Sequence, residues 1–414
     1  MKVSRRRFLS RSVALGCTAA ASPLLTPVTF ASAPWDNRLV VIILRGGMDG
    51  LGVVQPRGAA EYAALRKPGD AVGAPGGPHD LDGFFALHPG LSTLMPLWAA
   101  GELGFVHAVS TPYRDKRSHF DGQDVLEAGT TNEHDPVRDG WLNRMLQVLP
   151  GVSAETAYAV GRSDMLLTRG AAPVANWSPD ARVDGLSPQA IELLQLVVHD
   201  DPLVAPALNE ALNLSAQSPM ADMAGAGAGA GGNNMIETMI QEMQAARKSG
   251  GHKQIAEFAA KKLRQDSRIA SFSINGWDTH ANQGRTLVRP LEILAEMVLT
   301  LKENMRGPVW GKTTVIAMTE FGRTARLNGT GGTDHGTGGL MMLAGGALRG
   351  GRVLGQWPGL AEADLYDRRD LMPTSDLRAY AGWAMRGLFG IDRSVIERSI
   401  FPGVDLGDDP GLLL

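Results

Sequence analysis

Four polar clusters in this 414-residue sequence combine residue types that bind cations or carry out ester chemistry. In Asn275-Gly276-Trp277-Asp278-Thr279-His280 a carboxylate and an imidazole stand two apart, so both can face one ion. Asp, His and water together suit zinc or manganese. Thr319-Glu320-Phe321-Gly322-Arg323-Thr324 carries a further carboxylate and leads into Gly331-Gly332-Thr333-Asp334-His335-Gly336-Thr337-Gly338-Gly339. Arg45-Gly46-Gly47-Met48-Asp49-Gly50 pairs glycines, which let backbone approach a ligand, with the hard oxygens of Asp49. An Asp-Gly turn accounts for that cluster equally well. In Arg114-Asp115-Lys116-Arg117-Ser118-His119-Phe120-Asp121-Gly122-Gln123, Ser118 stands where a helix begins. Its hydroxyl there either caps the helix or serves as a nucleophile whose anionic ester the helix N-terminus would stabilise.

The arginines of these clusters read two ways. Arg45, Arg117 and Arg323 suit an anion clamp, because a guanidinium matches two oxygens of a phosphate or sulfate at once. They serve equally as solvated charges. Asp334 and Asp121 are candidates for orienting a ligand histidine, and Asn275 and Trp277 either line a pocket or pack.

The elements that must position these residues are apolar runs ahead of them. Leu39-Val40-Val41-Ile42-Ile43-Leu44 reads as a strand buried on both faces of a parallel sheet. Gly104–Val109, Ile269–Ile274 and Thr313–Thr319 read as three more strands. Helical patterns separate them over Leu91–Ala100, Ser118–Glu127, Pro188–His199, Asn234–Arg264 and Leu287–Met305. Alternation of this kind predicts an α/β fold, a doubly wound and mostly parallel sheet with helices on both faces. In such sheets ligands bind beyond the carboxyl ends of the strands, where three of the four clusters fall. Residues 221–234, low in complexity and built of glycine and alanine, read as a flexible loop inside one domain spanning 34–414.

Taken together, Leu-Arg-Gly-Gly-Met-Asp-Gly, Ser-His-Phe-Asp-Gly-Gln, Trp-Asp-Thr-His, Thr-Glu-Phe-Gly-Arg and Gly-Thr-Asp-His-Gly-Thr-Gly-Gly resemble the exported bacterial family of unknown function numbered 1501. The resemblance covers nearly the whole chain after its first thirty-odd residues. That family is grouped with the alkaline-phosphatase-like superfamily, so the resemblance implies an alkaline-phosphatase-like sandwich with a bimetallic hydrolytic site. Carried over residue by residue, it implies metal ligands at Asp49, Asp278, His280, Glu320 and His335, and the nucleophile at Ser118. The superfamily's Asp-His pair falls on Glu320-Phe321, and a phenyl ring binds no metal. One ion would keep Asp278, His280 and His335, while the other would have Asp49, Glu320 and Ser118 and lack its histidine.

Composition bounds what remains. Apolar residues make up 44% and charged residues 20%, which describes a globular chain. The N-terminus, Ser4-Arg5-Arg6-Arg7-Phe8-Leu9 followed by a small-residue apolar stretch, resembles a twin-arginine export signal over 1–33, with cleavage near Ala31 or Ala33. Removing its five basic residues takes the net charge from −3 to −8, which argues against nucleic acid. It also removes Cys17, the sole cysteine, and with it disulfide and thiol chemistry. The expected protein is therefore periplasmic or otherwise exported, without a later membrane span. It is a metal-dependent hydrolase of phosphate or sulfate esters, with zinc, or else manganese or calcium, as its ion. Its substrate is a small anionic ester or a glycan- or lipid-linked one. The alternative is a non-catalytic binding or assembly protein, with a protein partner, that keeps the fold and at most one metal.

Overall fold

A computed structural model of the chain describes residues 35–132, 134–161, 165–178 and 251–414. The export signal expected over 1–33, the helix expected over Pro188–His199, the stretch 221–234 and the first half of the helix expected over Asn234–Arg264 lie outside these residues.

Strand β1 (Arg38–Arg45) shows why its sequence is an unbroken apolar run. Val40, Ile42 and Leu44 enter one hydrophobic cluster and Leu39, Val41 and Ile43 the other, all fully buried. Side chains alternate faces along a strand, so a run apolar at every position must be covered on both sides. Burying each of these side chains contributes about 1.5–3 kcal/mol. The remaining strands are β2 (Val54–Gln55), β3 (His79–Asp80), β4 (Ala86–Leu87), β5 (Leu103–Ser110), β6 (Ala157–Val160), β7 (Ala175–Trp177), β8 (Ile269–Asn275), β9 (Thr313–Met318), β10 (Gly339–Ala344), β11 (Val353–Leu354) and β12 (Ser375–Asp376).

The main sheet runs β11-β5-β10-β9-β1-β8-β6-β7, with β12 added alongside β5. β1 is parallel to β8 and β9, and β6 is parallel to β7 and β8. Only β10 runs antiparallel, between β5 and β9. It was not legible as a strand beforehand, because Leu-Met-Met-Leu is apolar without alternation or β-branching. β2, β4 and β3 form a small antiparallel sheet.

The longer helices cover the two faces. Helices α1 (His119–Ala128), α2 (Trp141–Val148), α3 (Gly251–Leu263), α4 (Val288–Asn304) and α5 (Leu377–Phe389) alternate with the strands. α3 and α4 pack on the Val40-Ile42-Leu44 face through Phe258, Leu263, Leu291 and Val298. α2 and α5 pack on the opposite face through Leu142, Met145, Ala381 and Met385. The fold is therefore α/β, mostly parallel and covered on both sides. The helix expected over Leu91–Ala100 divides into a 3₁₀ turn, Pro89–Leu94, and a short α-helix, Met95–Ala99, each with a proline in its opening turn. Among the described residues no helix is long and apolar enough to cross a membrane.

The parallel strands β1, β5, β8 and β9 all end at one edge of the sheet, and antiparallel β10 begins there. That edge gathers the polar loops. Gly46 shows how closely they pack: at φ 122° its backbone approaches the Trp277–Asp278 peptide so tightly that a Cβ would lie 2.6 Å from Asp278 N. Only glycine fits there.

Candidate metal centre

Asp278 lies three residues beyond β8, and three imidazoles converge on its carboxylate. His280 Nε2 lies 3.0 Å and His335 Nε2 3.3 Å from Asp278 Oδ1. His119 Nε2 lies 3.5 Å from Oδ2, at ion-pair range but without hydrogen-bond geometry. The ligating atoms of His119, Asp278 and His335 fall within 4.8 Å of one another.

The other nitrogen of each ring fixes its orientation. His119 Nδ1 donates to Glu320 Oε1 at 2.8 Å, His280 Nδ1 to Asp334 Oδ1 at 3.1 Å, and His335 Nδ1 to the carbonyl of Arg117 at 2.8 Å. A ring that donates from Nδ1 presents, when neutral, a lone pair at Nε2. His280 and His335 bring these Nε2 atoms to 3.0 Å, a repulsive arrangement unless a cation or proton lies between them. His119 Nε2 is buried and has no hydrogen-bond partner. His119, Asp278 and His335, with an orphaned buried nitrogen among them, are a donor set that suits a divalent ion such as zinc, and His280 Nε2 stands beside them.

Electrostatics agree. Burial works against a charge on His119, but the nearby Asp278 carboxylate and the Glu320 carboxylate that accepts from its Nδ1 outweigh it and push its pKa up to about 9. Burial would raise Asp278, yet His119, His335 and Arg323 hold it well below the usual carboxylate range. The carboxylates thus demand a positive charge at this position.

Sequence reasoning missed His119. Its signal was present: it directly follows Ser118, in the first turn of α1, the one histidine of that motif. Glu320 stands behind it, fully buried, with Oε1 accepting from Gly46 N at 2.9 Å and from Gln123 Nε2 at 3.2 Å, and Oε2 from Thr319 Oγ1 at 2.9 Å. Glu320 therefore orients the His119 ring. Phe321 is buried against both imidazoles, its centroid 5.0 Å from those of His119 and His335. It forms an apolar wall that restricts both ring planes. Asp334 accepts from His280 Nδ1, and Trp277 packs fully buried with its indole N–H on Ile274 O.

Asp49, expected among the ligands, lies elsewhere. Its carboxylate is buried and held by both terminal nitrogens of Arg66, Nη2 at 2.9 Å from Oδ1, and by Gln283 Nε2. It is absent from the convergent set. Arg323, placed in the anion clamp, is buried too. Its Nε donates to Gly47 O at 2.7 Å, its Nη1 to Thr333 O at 3.0 Å, and its Nη2 to Gly46 O, Trp277 O and Asp278. Arg45 pairs with Glu127 and Gln123, each at 2.6 Å. Of the three arginines only Arg117 exposes its side chain.

Ser118 is the N-cap of α1, half-buried, with its backbone N–H on the Tyr113 hydroxyl at 2.8 Å. Its Oγ accepts from Asp121 N at 3.4 Å, a long bond that holds the hydroxyl weakly. Asp115 and Arg117, just before it, take left-handed backbone at φ 66° and 57°. Such strain in non-glycine residues concentrates at functional loops.

A mostly parallel α/β sheet with a His/Asp cluster at its carboxyl edge defines the class. The chain belongs to the family described as protein of unknown function (DUF1501), whose profile matches residues 36–399. No curated protein sequence matches it. Among solved structures, the chain is similar to the C-terminal periplasmic domain of EcEptC from Escherichia coli, at 10% identity and a TM-score of 0.37, covering 92% of this chain and 93% of that one. It is also similar to alkaline phosphatase from the Antarctic bacterium TAB5, at 10% identity and a TM-score of 0.34, covering 77% and 94%.

Proposed function

We propose that this is an exported, divalent-metal-dependent hydrolase of phosphate or sulfate esters with a one-ion centre. His119, Asp278, His280 and His335 hold the ion, zinc, and Ser118 is the nucleophile. The observation that carries the reading is the convergence of the Nδ1-anchored imidazoles of His119, His280 and His335 on Asp278, with the weakly held hydroxyl of Ser118 next to His119 in sequence at a helix N-terminus. Export rests on the sequence of residues 1–33.

A bound zinc ion supplies Lewis acidity, polarising an ester oxygen and easing ionisation of a nearby hydroxyl. Ser118 Oγ attacks phosphorus or sulfur as its proton passes to solvent, the bond to the ester oxygen breaks, and that oxygen takes up a proton from solvent and departs as the alcohol. Water then cleaves the seryl ester, releasing phosphate or sulfate and restoring the hydroxyl. The helix N-terminus that Ser118 caps would stabilise the charge of the transferred group, and the exposed Arg117 beside it would supply a cationic contact. Glu320, Asp334 and the Arg117 carbonyl keep the imidazoles aimed. A small anionic ester, free or linked to glycan or lipid, is the substrate class.

One observation favours a non-catalytic metal-binding protein instead. Arg66 and Gln283 engage Asp49, and Phe321 replaces a histidine, so the donors suffice for one ion where the related chemistry uses two. Metal content of the exported protein, purified without chelator, and release of nitrophenol from its phosphate and sulfate esters separate the readings. One ion per chain with turnover lost in Ser118→Ala supports the hydrolase. One ion without turnover supports the binding protein, and no ion overturns both.

A further inference from the structure

Asp49 is the first candidate ligand in the chain, yet its oxygens face a guanidinium and an amide. Arg66 is itself buried and anchored, Nε on Ala325 O at 2.6 Å and Nη2 on Thr324 O at 2.9 Å. Gln283 is buried beside it and is used at both ends of its amide. Nε2 donates to Asp49, while Oε1 accepts from Thr279 Oγ1 at 2.9 Å and Thr333 Oγ1 at 2.6 Å. Thr279 lies between Asp278 and His280, and Thr333 lies two residues before His335. Thr333 N donates to Thr279 O at 3.1 Å and Gln283 N to Gly331 O at 2.9 Å, so the two ligand loops are also laced by backbone. One amide therefore ties the loop after β8 and the loop before β10 to Asp49, four residues beyond the end of β1.

We propose that Arg66, Asp49 and Gln283 form a positioning lock, which holds His280 and His335 in register through Thr279 and Thr333, and that Asp49 sets the site's affinity for its ion without touching it. The affinity consequence rests on the metal reading above; the positioning does not. The polarity is specific. A buried carboxylate needs donors, which Arg66 and the Gln283 amide supply, and the two threonine hydroxyls need an acceptor, which the same amide supplies from its other end. Each member is engaged, so loss of one leaves its partners buried and unmatched.

Zinc titration calorimetry and amide hydrogen exchange on the full chain test this with Gln283→Leu, Asp49→Asn and Thr333→Val. We expect one zinc per chain in wild type and variants, with affinity lower by about 10–100-fold in Gln283→Leu and Asp49→Asn, the range for partners that orient ligands. The double variant Asp49→Asn/Gln283→Leu loses no more than the worse single, because both break one chain of bonds. Ion-free variants exchange faster over 277–283 and 331–335. Thr333→Val removes one hydroxyl and leaves all charges; it shows a smaller loss in the same direction and serves where Gln283→Leu does not fold. Asp49→Asn that removes one of two bound ions overturns the proposal, since Asp49 is then a ligand. Wild-type affinity and exchange in Gln283→Leu, or in Thr333→Val if the former does not fold, overturn it as well. A wild-type chain that takes up no zinc defeats the metal reading alone; exchange in the ion-free chains then decides the lock, faster loops supporting it and unchanged loops overturning it.

Discussion

Glu320 and His119 show how much one hydrogen bond decides at this site. Glu320 is fully buried, and burial alone would favour its neutral form; His119 and the surrounding donors hold its pKa below the usual range instead. A charged Glu320 both fixes the His119 proton on Nδ1 and makes Nε2 a stronger donor to a cation. Glu320→Gln is expected to fold and to lose about 10–100-fold in zinc affinity, measured by competition with a chromogenic chelator. Equal affinity in the variant would remove His119 from the ligand set. Arg323 and Arg45 illustrate the opposite lesson. Nothing in the sequence separated an arginine that clamps an anion from one that ties loops together, because that depends on which carbonyls and carboxylates surround it.

At the scale of elements, α1 does two things at once: it opens on Ser118 and carries His119 in its first turn. As a cap, Ser118 is weak, its bond to Asp121 N being 3.4 Å long. A serine cap replaced by alanine ordinarily costs about 0.5–2 kcal/mol, and the long bond puts Ser118→Ala at the bottom of that range. The expected result is a urea midpoint close to wild type together with loss of ester turnover. A large fall in midpoint with turnover retained would make Ser118 a cap and nothing more. The strands that deliver the site were readable: β1, β5, β8 and β9 lie within a residue or two of their apolar runs. β10 was not, although His335 depends on it, because an apolar hexamer without periodicity reads equally as helix, strand or loop.

For the whole molecule, two histidines away from the centre, His107 buried and His88 half-buried, link stability to pH. His107 is buried in β5, with Nε2 donating to Val54 O at 3.0 Å and Nδ1 accepting from Ala108 N at 2.9 Å. A second proton would set N–H against N–H, and burial lowers its pKa to about 4. His88, whose Nδ1 accepts from Gly90 N at 2.9 Å, is likewise lowered by burial to about 4. Between pH 4 and 6.5 the unfolded chain binds more protons than the folded one, so their contribution is complete above about pH 6.5 and is lost as pH falls toward 4. Full charging of each costs about 3 kcal/mol. With chelator present throughout, the urea midpoint is expected to fall between pH 7.5 and 5, and to fall less in His107→Gln. An equal fall in the variant would show that His107 does not contribute.

The apolar runs, the alternation of strand and helix, and the polar residues after the strands follow from local rules that a linear sequence obeys: periodicity, β-branching, and glycine where backbones meet. These determined the α/β class, the sheet edge at which the polar loops gather, and Asp278, His280 and His335 among the residues brought together there. The partner of each charged group was decided by tertiary structure. Asp49 and Asp278 both follow β-strands and look equivalent along the chain, yet Arg66, seventeen residues on from Asp49, folds back to neutralise one while three imidazoles gather on the other. The physical reason is that a buried carboxylate must be matched by a cation or donors, and which of them reaches it depends on loops far apart in sequence meeting at one sheet edge.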